Sequence, residues 1–252
     1  GGKRGGGGHG IALVRHGGGA DSAFARGLKS FADVGLHHQG DIAGNLVKAD
    51  VFLERASRDG AKLTLFPELF NVGYFIGPEL FELWETDDGR TVTWMREQAA
   101  RLDMLVAGSI AEQRGDRLFN TMFIAEPGGG LPRYAKRQPF KCELAAFDHG
   151  DDEAIVDTSL GRTGCAICAD LNWGRALLRP LAGNVDLLLF PQASIAAKPH
   201  GRLMWRQDRK RGRPAIGGSG EGDRGTNGTG RAGWPGAAHN TLVWSLPARR
   251  DV

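Results

Sequence analysis

The chain has 252 residues, of which 41% are hydrophobic and 24% charged, with a formal net charge of +3. That length and that hydrophobic fraction suit one domain with a substantial core. The sequence has no run of 18 apolar residues, so we expect no membrane span. An odd number of cysteines, three, and no apolar signal stretch near the start favour a reduced chain in the cytoplasm.

Glycine is concentrated at the two ends of the chain. Ten of the first 20 residues and 11 of the last 52 are glycine, and residues 201–252 carry ten Lys or Arg against four Asp or Glu. Such segments gain little from burial to offset their ordering entropy. We therefore predict a Gly-rich N-terminal segment (1–20), a folded domain (21–200) and a Gly/Arg-rich C-terminal segment of uncertain structure (201–252). We interpret the basic tail as a solvated segment and expect no nucleic-acid partner.

Helix and strand patterns alternate between these ends. Helical spacing with an N-cap at Asp41 predicts a helix over 42–57 that ends at Gly60. A second helix is predicted at 89–102 and a third at 173–182. Strands are predicted at 62–66, 104–110, 118–125, 131–137, 163–168, 185–190 and 240–246, and 11–14 and 33–39 compete as the first strand. This order predicts a mixed sheet with helices packed on it, which is an α/β fold.

Three reactive side chains lie at predicted strand ends, where a loop can expose them. Glu68 follows a strand and a proline, and partial burial there favours a general base, although a surface glutamate fits the same pattern. Lys136 offers fixed positive charge to an oxyanion, or simply solvates a strand end. Cys168 lies where a strand meets a helix start, so backbone N–H groups are expected to lower the pKa of its thiol. The alternative for Cys168 is a small core residue.

Other chemistries find less support in the sequence. Cys165 and Cys168 form a C-x-x-C pair, but residues i and i+3 of a strand face opposite ways. Zinc needs two further ligands, and only Cys142 and His149 lie nearby in sequence. The chain has neither a G-x-S-x-G elbow nor a phosphate-binding G-x-x-x-x-G-K-[ST] loop. We therefore expect no metal and no organic cofactor.

Taken together and in order, the three segments resemble motifs of the nitrilase, or carbon–nitrogen hydrolase, superfamily. These are the F-P-E segment of Glu68, the Y-x-K segment of Lys136 and the I-C-x-D segment of Cys168. Smaller matches are Gly40 to Leu46, Phe119-Asn120-Thr121, the group Glu143, Phe147 and Gly150, and Leu187 to Pro191. The resemblance covers about residues 40–195, so the folded domain is similar to a carbon–nitrogen hydrolase domain.

The resemblance implies an αββα sandwich of mixed β-sheets flanked by helices, with a catalytic triad of Glu68, Lys136 and Cys168. It implies that Glu68 takes the thiol proton, that Cys168 attacks the amide carbon, and that Lys136 and the Ala169 backbone N–H hold the oxyanion. The supporting residues carried over by the same likeness are Glu143, which orients the lysine, and the substrate-pocket residues Tyr74 and Trp173.

The residues after the cysteine bear on the substrate class. Cys168-Ala-Asp170 is closer to the Cys-x-Asp of amidase and carbamoylase branches than to the Cys-Trp-Glu of nitrilases. This favours hydrolysis of a small amide or N-carbamoyl compound by a homodimer or larger homo-oligomer, with nitrile hydrolysis by the same triad as the alternative. Residues 201–252 lack the R-A-x-E-N segment of the superfamily, which indicates a divergent or incomplete C-terminal part. A catalytically inactive relative that binds a partner is therefore also open.

Overall fold

In the part of the chain that the structure describes, the fold consists of two β-sheets and two α-helices. The computed structural model describes residues 15–16, 39–74, 76–173, 180–181, 184–193 and 242–245. Helix α1 (Ile42–Arg58) begins at Asp41, whose side chain accepts a hydrogen bond from the Gly44 N–H at 2.8 Å. Helix α2 (Arg90–Leu102) ends at Asp103, which adopts a left-handed backbone conformation with φ of 48°. In the described part of the chain no helix combines the length and apolar character needed to span a membrane.

The first sheet carries four strands in the order β2-β3-β4-β5. They are β2 (Leu63–Leu65), β3 (Leu105–Arg114), β4 (Arg117–Ala125) and β5 (Arg133–Ala135). Strands β2 and β3 are parallel, whereas β3, β4 and β5 are joined antiparallel. The β4–β5 turn is closed by the Glu126 N–H, which donates to the Gly130 carbonyl at 2.9 Å. The short strand β5 ends at Ala135, directly before Lys136.

The second sheet carries five described strands in the order β1-β9-β8-β7-β6. They are β1 (Arg15–His16), β6 (Ile155–Thr158), β7 (Gly161–Cys165), β8 (Leu187–Phe190) and β9 (Leu242–Ser245). Strands β7 and β8 are parallel, and β9 pairs antiparallel with β8 and parallel with β1. The second sheet thus joins residues from both ends of the chain.

Alternating apolar side chains of the first sheet fill two separate cores. One core lies between the two sheets, where Leu63, Leu65, Met122 and Ile124 pack with Leu187 and Leu189. The other lies between the first sheet and the helices, where Val106 and Phe123 pack with Leu53, Met95 and Ala99. Because side chains alternate across a strand, neighbours such as Phe123 and Ile124 enter opposite cores. The result is an α/β sandwich, as predicted.

Most predicted elements of the chain are confirmed, with shifted ends. The strand predicted at 163–168 ends earlier, at Cys165, because Cys168 already belongs to a 3₁₀ helix, Cys168–Trp173. The strand predicted at 131–137 is limited to Arg133–Ala135. Strand β6 and the 3₁₀ helices Pro78–Glu82 and Lys141–Ala145 were not predicted. Of the two candidate first strands, 11–14 lies outside the described residues but directly precedes β1, and 33–39 is described only at its last residue. The helix predicted at 173–182 lies largely outside the described residues.

A network of charged side chains ties the three strands β3, β4 and β5 together. The Glu112 carboxylate, 1% exposed, accepts from Arg114 Nε at 2.6 Å, from Thr121 Oγ1 at 2.6 Å and from Arg133 Nη1 at 2.8 Å. Arg114 also makes a two-pronged contact with Asp152, at 2.9 and 2.8 Å. Asp152 in turn accepts the Ala135 N–H at 2.8 Å. The network therefore fixes the end of β5, directly before Lys136.

We expect Glu112→Gln to lower the free energy of unfolding by about 1.5–3 kcal/mol, since the substitution removes the charge from a buried acceptor of three hydrogen bonds. Glu82→Gln makes the same chemical change on an exposed residue, and we expect it to stay within about 0.5 kcal/mol of the parent. Urea unfolding of the parent and both variants measures the difference. Equal midpoints for the two variants would contradict this account of the network.

Candidate active site

Glu68 is positioned by a segment that folds back over strand β3. The Phe66 N–H donates to the Ala107 carbonyl at 2.7 Å, and the Leu69 N–H donates to Ser109 Oγ at 2.9 Å. Leu69 has a φ of 50°, a left-handed conformation that is uncommon for a residue with a branched side chain. This turn places the Glu68 side chain in the interior, where it is fully buried.

Lys136 is held on both sides of its backbone. Its N–H donates to the Asn120 carbonyl at 2.8 Å, which extends the β4–β5 pairing, and its carbonyl accepts from the Gly150 N–H at 2.9 Å. A side chain at Gly150 is excluded because a Cβ there would lie 2.2 Å from the Ala135 carbonyl oxygen. The Lys136 side chain is directed inward and is fully buried.

The Lys136 ammonium lies between two buried carboxylates. Its Nζ is 2.6 Å from Glu68 Oε1 and 2.7 Å from Glu143 Oε2. Glu143 comes from the 3₁₀ helix Lys141–Ala145, and like the other two side chains it is fully buried. The structure therefore brings together three of the predicted site residues. Lys136 lies 68 positions after Glu68 and seven positions before Glu143 along the chain.

Neutral donors complete the surroundings of the two carboxylates. The Asn120 side-chain amide donates to Glu68 Oε1 at 2.9 Å and to Glu143 Oε1 at 3.1 Å. The Ala193 N–H donates to Glu68 Oε2 at 2.9 Å, and the Phe140 N–H donates to Glu143 Oε2. Asn120 and Ala193 were not among the predicted site residues. Asn120 had one signal in the sequence, since it lies in a segment that resembles the superfamily, but Ala193 had none.

Cys168 reaches this cluster from the other sheet. It follows strand β7 and begins the 3₁₀ helix, and its N–H donates to the Pro191 carbonyl at 3.0 Å. Its φ of 41° is left-handed, a strained conformation of the kind that accumulates at functional sites. The thiol feels the charges of Glu68, Lys136 and Glu143 directly. Glu68 and Lys136 therefore contact each other, Cys168 lies near enough for their charges to act on its thiol, and the joint catalytic role of the three residues stays a prediction.

The Cys168 thiol differs from the expectation in its acidity. Burial raises the pKa of Cys168 well above that of an ordinary thiol, and the neighbouring Glu68 carboxylate raises it further, whereas Lys136 lowers it. The predicted lowering of the pKa is therefore wrong, because the helix that starts here is a single short 3₁₀ turn and the cost of burying a thiolate dominates. The thiol is therefore protonated near neutral pH, so a nucleophilic attack by its sulfur would need a base.

The charges in the cluster act on one another in opposite directions. Burial lowers the pKa of the Lys136 ammonium, but the Glu68 and Glu143 carboxylates outweigh burial and hold this pKa above its ordinary value. Burial and the Glu68 carboxylate raise the pKa of Glu143, although Lys136 lowers it. Lys136 therefore remains a cation over the whole neutral range, available to stabilise negative charge.

Asp170 connects the cysteine segment to the lysine strand. Its carboxylate is fully buried and accepts from the Ile167 N–H at 2.8 Å, the Gln138 N–H at 2.9 Å and the Tyr134 hydroxyl at 3.0 Å. Burial nevertheless raises the pKa of Asp170. Asp170, which suggested a substrate class in the sequence, therefore links the segment that carries Cys168 to the segment that carries Lys136.

The remaining predicted site residues are placed as follows. Tyr74 is partly buried, and burial together with the Glu68 and Glu143 carboxylates raises the pKa of its hydroxyl, so it faces the cluster as a neutral phenol. Ala169 is buried beside Cys168, and its role in an oxyanion hole stays a prediction. The side chain of Trp173 lies outside the described part of the structure. Among the described residues, no group of three or more His, Cys, Asp or Glu side chains is arranged to hold a metal ion.

The fold and the cluster define an α/β sandwich with a candidate thiol-hydrolase site. The sequence pattern of the carbon–nitrogen hydrolases matches residues 30–211, so the chain belongs to the carbon–nitrogen hydrolase family. It is 32% identical over 130 residues to a nitrilase of Pyrococcus abyssi, with 50% of each chain covered. It is 30% identical over 170 residues to a chloroplastic omega-amidase of Arabidopsis thaliana, with 61% of this chain and 46% of the relative covered.

Solved structures agree with this assignment. A carbon–nitrogen hydrolase superfamily protein of Xanthomonas campestris, solved with an arsenic adduct in its active site, has a TM-score of 0.57 and 28% identity, with 65% of this chain and 64% of that chain covered. Nit3 of Saccharomyces cerevisiae, at 24% identity, shares the fold with a TM-score of 0.58 and covers 68% of this chain and 65% of its own. The chain spans about half the length of the curated relatives that it matches.

Removal of the central cation tests the charge balance of the cluster. We expect Lys136→Met to lower the free energy of unfolding by about 3–5 kcal/mol at pH 8, because two buried carboxylates lose their counter-charge. Without the ammonium, the raised pKa of Glu143 rises further. A carboxyl whose folded pKa exceeds its unfolded value destabilises the fold as pH rises above about 4.3, so the deficit shrinks on acidification.

Urea unfolding at pH 5 and pH 8 measures this dependence, with Lys62→Met as the matched control. Lys62 forms an ion pair with Asp103 at 3.4 Å in which both side chains are mostly exposed. We expect that control to cost at most about 1 kcal/mol at either pH. A Lys136→Met deficit that is the same at both pH values would contradict the charge balance described above.

Proposed function

We propose that this chain is a thiol-dependent hydrolase of small, non-peptide amides or N-carbamoyl compounds that works through a Cys168 thioester. One observation carries the proposal: a buried ammonium contacts Glu68 and Glu143 at 2.6 and 2.7 Å, and the Cys168 thiol lies within the field of all three charges. Burial of three charges is costly for folding alone. Such a cluster beside a thiol suits acyl transfer, which needs a base, a nucleophile and a cation.

The first half of the reaction forms the thioester. Glu68 accepts the proton of the Cys168 thiol while the sulfur attacks the carbonyl carbon of the substrate. The oxyanion that develops is stabilised by the Lys136 ammonium and by the Ala169 N–H. Collapse of the tetrahedral intermediate breaks the carbon–nitrogen bond, and the departing ammonia or amine takes the proton back from Glu68.

The second half releases the acid. Water gives a proton to Glu68 and attacks the thioester carbon, which forms a second oxyanion held by the same donors. Collapse of this intermediate breaks the carbon–sulfur bond, and the sulfur recovers a proton from Glu68. The products are a carboxylic or carbamic acid and the free thiol. No metal or organic cofactor takes part in the proposed steps.

The relatives support an amide as the substrate class. Besides the omega-amidase of Arabidopsis thaliana, the similar proteins include a 2-oxoglutaramate amidase of Bacillus subtilis. Asp170 makes three hydrogen bonds within the protein. The Cys-x-Asp pattern of amidase branches would therefore affect the reaction through the placement of Cys168. Nitrile hydrolysis by the same triad is the alternative, supported by the name of the Pyrococcus abyssi relative. A homodimer or larger homo-oligomer and a cytoplasmic location remain predictions of the resemblance.

The test of this function is ammonia release from a panel of simple amides, ω-amides of 2-oxo acids, N-carbamoyl amino acids and nitriles. We expect turnover of a member of the first three groups. Cys168→Ala removes the nucleophile and should lower kcat by about 10³-fold or more, and Glu68→Gln removes the base with a similar loss. Cys142→Ala is the matched control, because it removes an exposed thiol.

Two outcomes of this screen would contradict the proposal. Parental turnover by a folded Cys168→Ala variant excludes the thioester mechanism. Turnover of nitriles alone assigns the alternative substrate class to the same triad. Circular dichroism of each variant separates the loss of a reacting group from the loss of the fold.

Thiol labelling tests the alternative of an inactive, partner-binding relative. We expect iodoacetamide to modify Cys168 faster than Cys165, because burial raises the pKa of both thiols but only Cys168 lies near the Glu68 carboxylate, which can take its proton. Modification at Cys168 should abolish turnover in proportion to labelling, as measured by peptide mass mapping. Slow labelling of Cys168 at the rate of Cys165 would instead support the inactive relative.

A further inference from the structure

Asn120 touches every charged residue of the Glu–Lys–Glu cluster. Its side-chain nitrogen donates to Glu68 Oε1 at 2.9 Å and to Glu143 Oε1 at 3.1 Å. Its carbonyl accepts the Lys136 N–H at 2.8 Å. The side chain is 1% exposed, in the middle of strand β4, so it is held by the sheet.

The orientation of the Asn120 amide is set by its two acceptors. The reversed amide would press its oxygen against two carboxylate oxygens, which is repulsive. In the observed orientation the amide oxygen Oδ1 is buried and has no hydrogen-bond partner among the described residues. A buried acceptor without a partner costs stability. The fold bears this cost at a position where both amide hydrogens reach carboxylates.

We propose that Asn120 is a positioning residue of the reaction: its single amide group spans Glu68 and Glu143 and fixes both carboxylates around the Lys136 ammonium. This inference rests on the function proposed above. With one oxygen held by Lys136 and Asn120 and the other by the Ala193 N–H, the Glu68 carboxylate cannot rotate away from Cys168. Asn120 itself does not exchange protons, and it acts through the two glutamates.

A positioning role has a consequence for the pH dependence of the site. Glu68 is faced by Lys136, Glu143, Cys168 and Tyr74. An N–H donor favours the ionised form of the carboxyl group that accepts it, so loss of the Asn120 amide should raise the pKa of Glu143, which burial already raises. The acid side of the activity profile must therefore move to higher pH when the Asn120 amide is lost. A purely structural residue would leave this side of the profile in place.

Asn71 provides a matched control. It is also a buried asparagine whose Oδ1 has no partner among the described residues. Its side-chain nitrogen donates to Glu85 Oε1 at 3.1 Å and to Thr91 Oγ1 at 3.2 Å, and it makes no described contact with the catalytic carboxylates. Asn71→Ala and Asn120→Ala therefore remove the same group from similar surroundings.

The experiment compares steady-state kinetics of the two alanine variants across pH. We expect Asn120→Ala to lower kcat by about 10–100-fold with KM within about threefold of the parent, since ground-state binding is unaffected. Its acid limb should move up by about one pH unit. Per folded molecule, Asn71→Ala should retain kcat within about twofold and leave the limb in place. Parental kcat and an unmoved limb in folded Asn120→Ala would overturn the inference.

A second variant covers the case in which Asn120→Ala does not fold. Asn120→Asp keeps the volume but turns both donors into acceptors facing two carboxylates. We expect kcat to fall by about 100-fold or more. Parental kcat in folded Asn120→Asp would overturn the positioning role as well.

The inference can fail separately from the proposed function. If the parent releases no ammonia from any compound of the panel, the proposed function fails, but iodoacetamide labelling of Cys168 needs no turnover. The labelling rate of the parent should still rise from acid to neutral pH, and in Asn120→Ala it should be slower, with the rise displaced upward by about one pH unit. Identical labelling profiles of the parent, Asn120→Ala and Asn71→Ala would overturn the role of Asn120 alone.

Discussion

The Lys136 ammonium, enclosed by two carboxylates in the interior of a two-sheet sandwich, is the interaction on which the rest of the site depends. One positive and two negative charges away from water are tolerated only if their remaining lone pairs are satisfied, and donors from three separate segments do this, namely Asn120, Phe140 and Ala193. Outside the cluster, the Arg114–Asp152 pair and the tight approach of Gly150 hold the end of β5 in place. These contacts of the first sheet therefore hold the backbone of Lys136 in position.

The second constraint is that the nucleophile and the base belong to different sheets. Glu68 and Lys136 follow strands of the first sheet, whereas Cys168 follows β7 of the second. Asp170 links the two sheets through its hydrogen bonds with Tyr134 and Gln138. The chain after β8 forms a second link, because the Pro191 carbonyl accepts the Cys168 N–H and the Ala193 N–H donates to Glu68. Left-handed backbone occurs at Cys168 itself and at Leu69, the residue directly after Glu68.

The sequence was sufficient to single out Glu68, Lys136 and Cys168 as neighbours, because each lies in a short motif with its own local signal, and their role as a triad stays a prediction. The periodic helices, and strands such as β3 and β4, were found for the same reason, whereas the short, partly exposed β6 carried little pattern. Ala193 carried no signal in the sequence, and Asn120 only its place in a segment that resembles the superfamily, so their hydrogen bonds to Glu68, over 125 and 52 positions, became known from the structure. The acidity of Cys168 was predicted with the wrong sign because burial is a property of the folded state.

The raised pKa of the Cys168 thiol bears on how the proposed reaction would proceed, because burial disfavours a preformed thiolate and a neighbouring base is then needed. Lys136 cannot be that base, since its own pKa is raised and it stays protonated. Tyr74 would serve only as a neutral phenol, because burial and the carboxylates raise its pKa as well. Of the two carboxylates, Glu68 raises the pKa of the Cys168 thiol more strongly than Glu143 does. These charges therefore favour the proposed step in which the Cys168 thiol gives its proton to Glu68 while the sulfur–carbon bond forms.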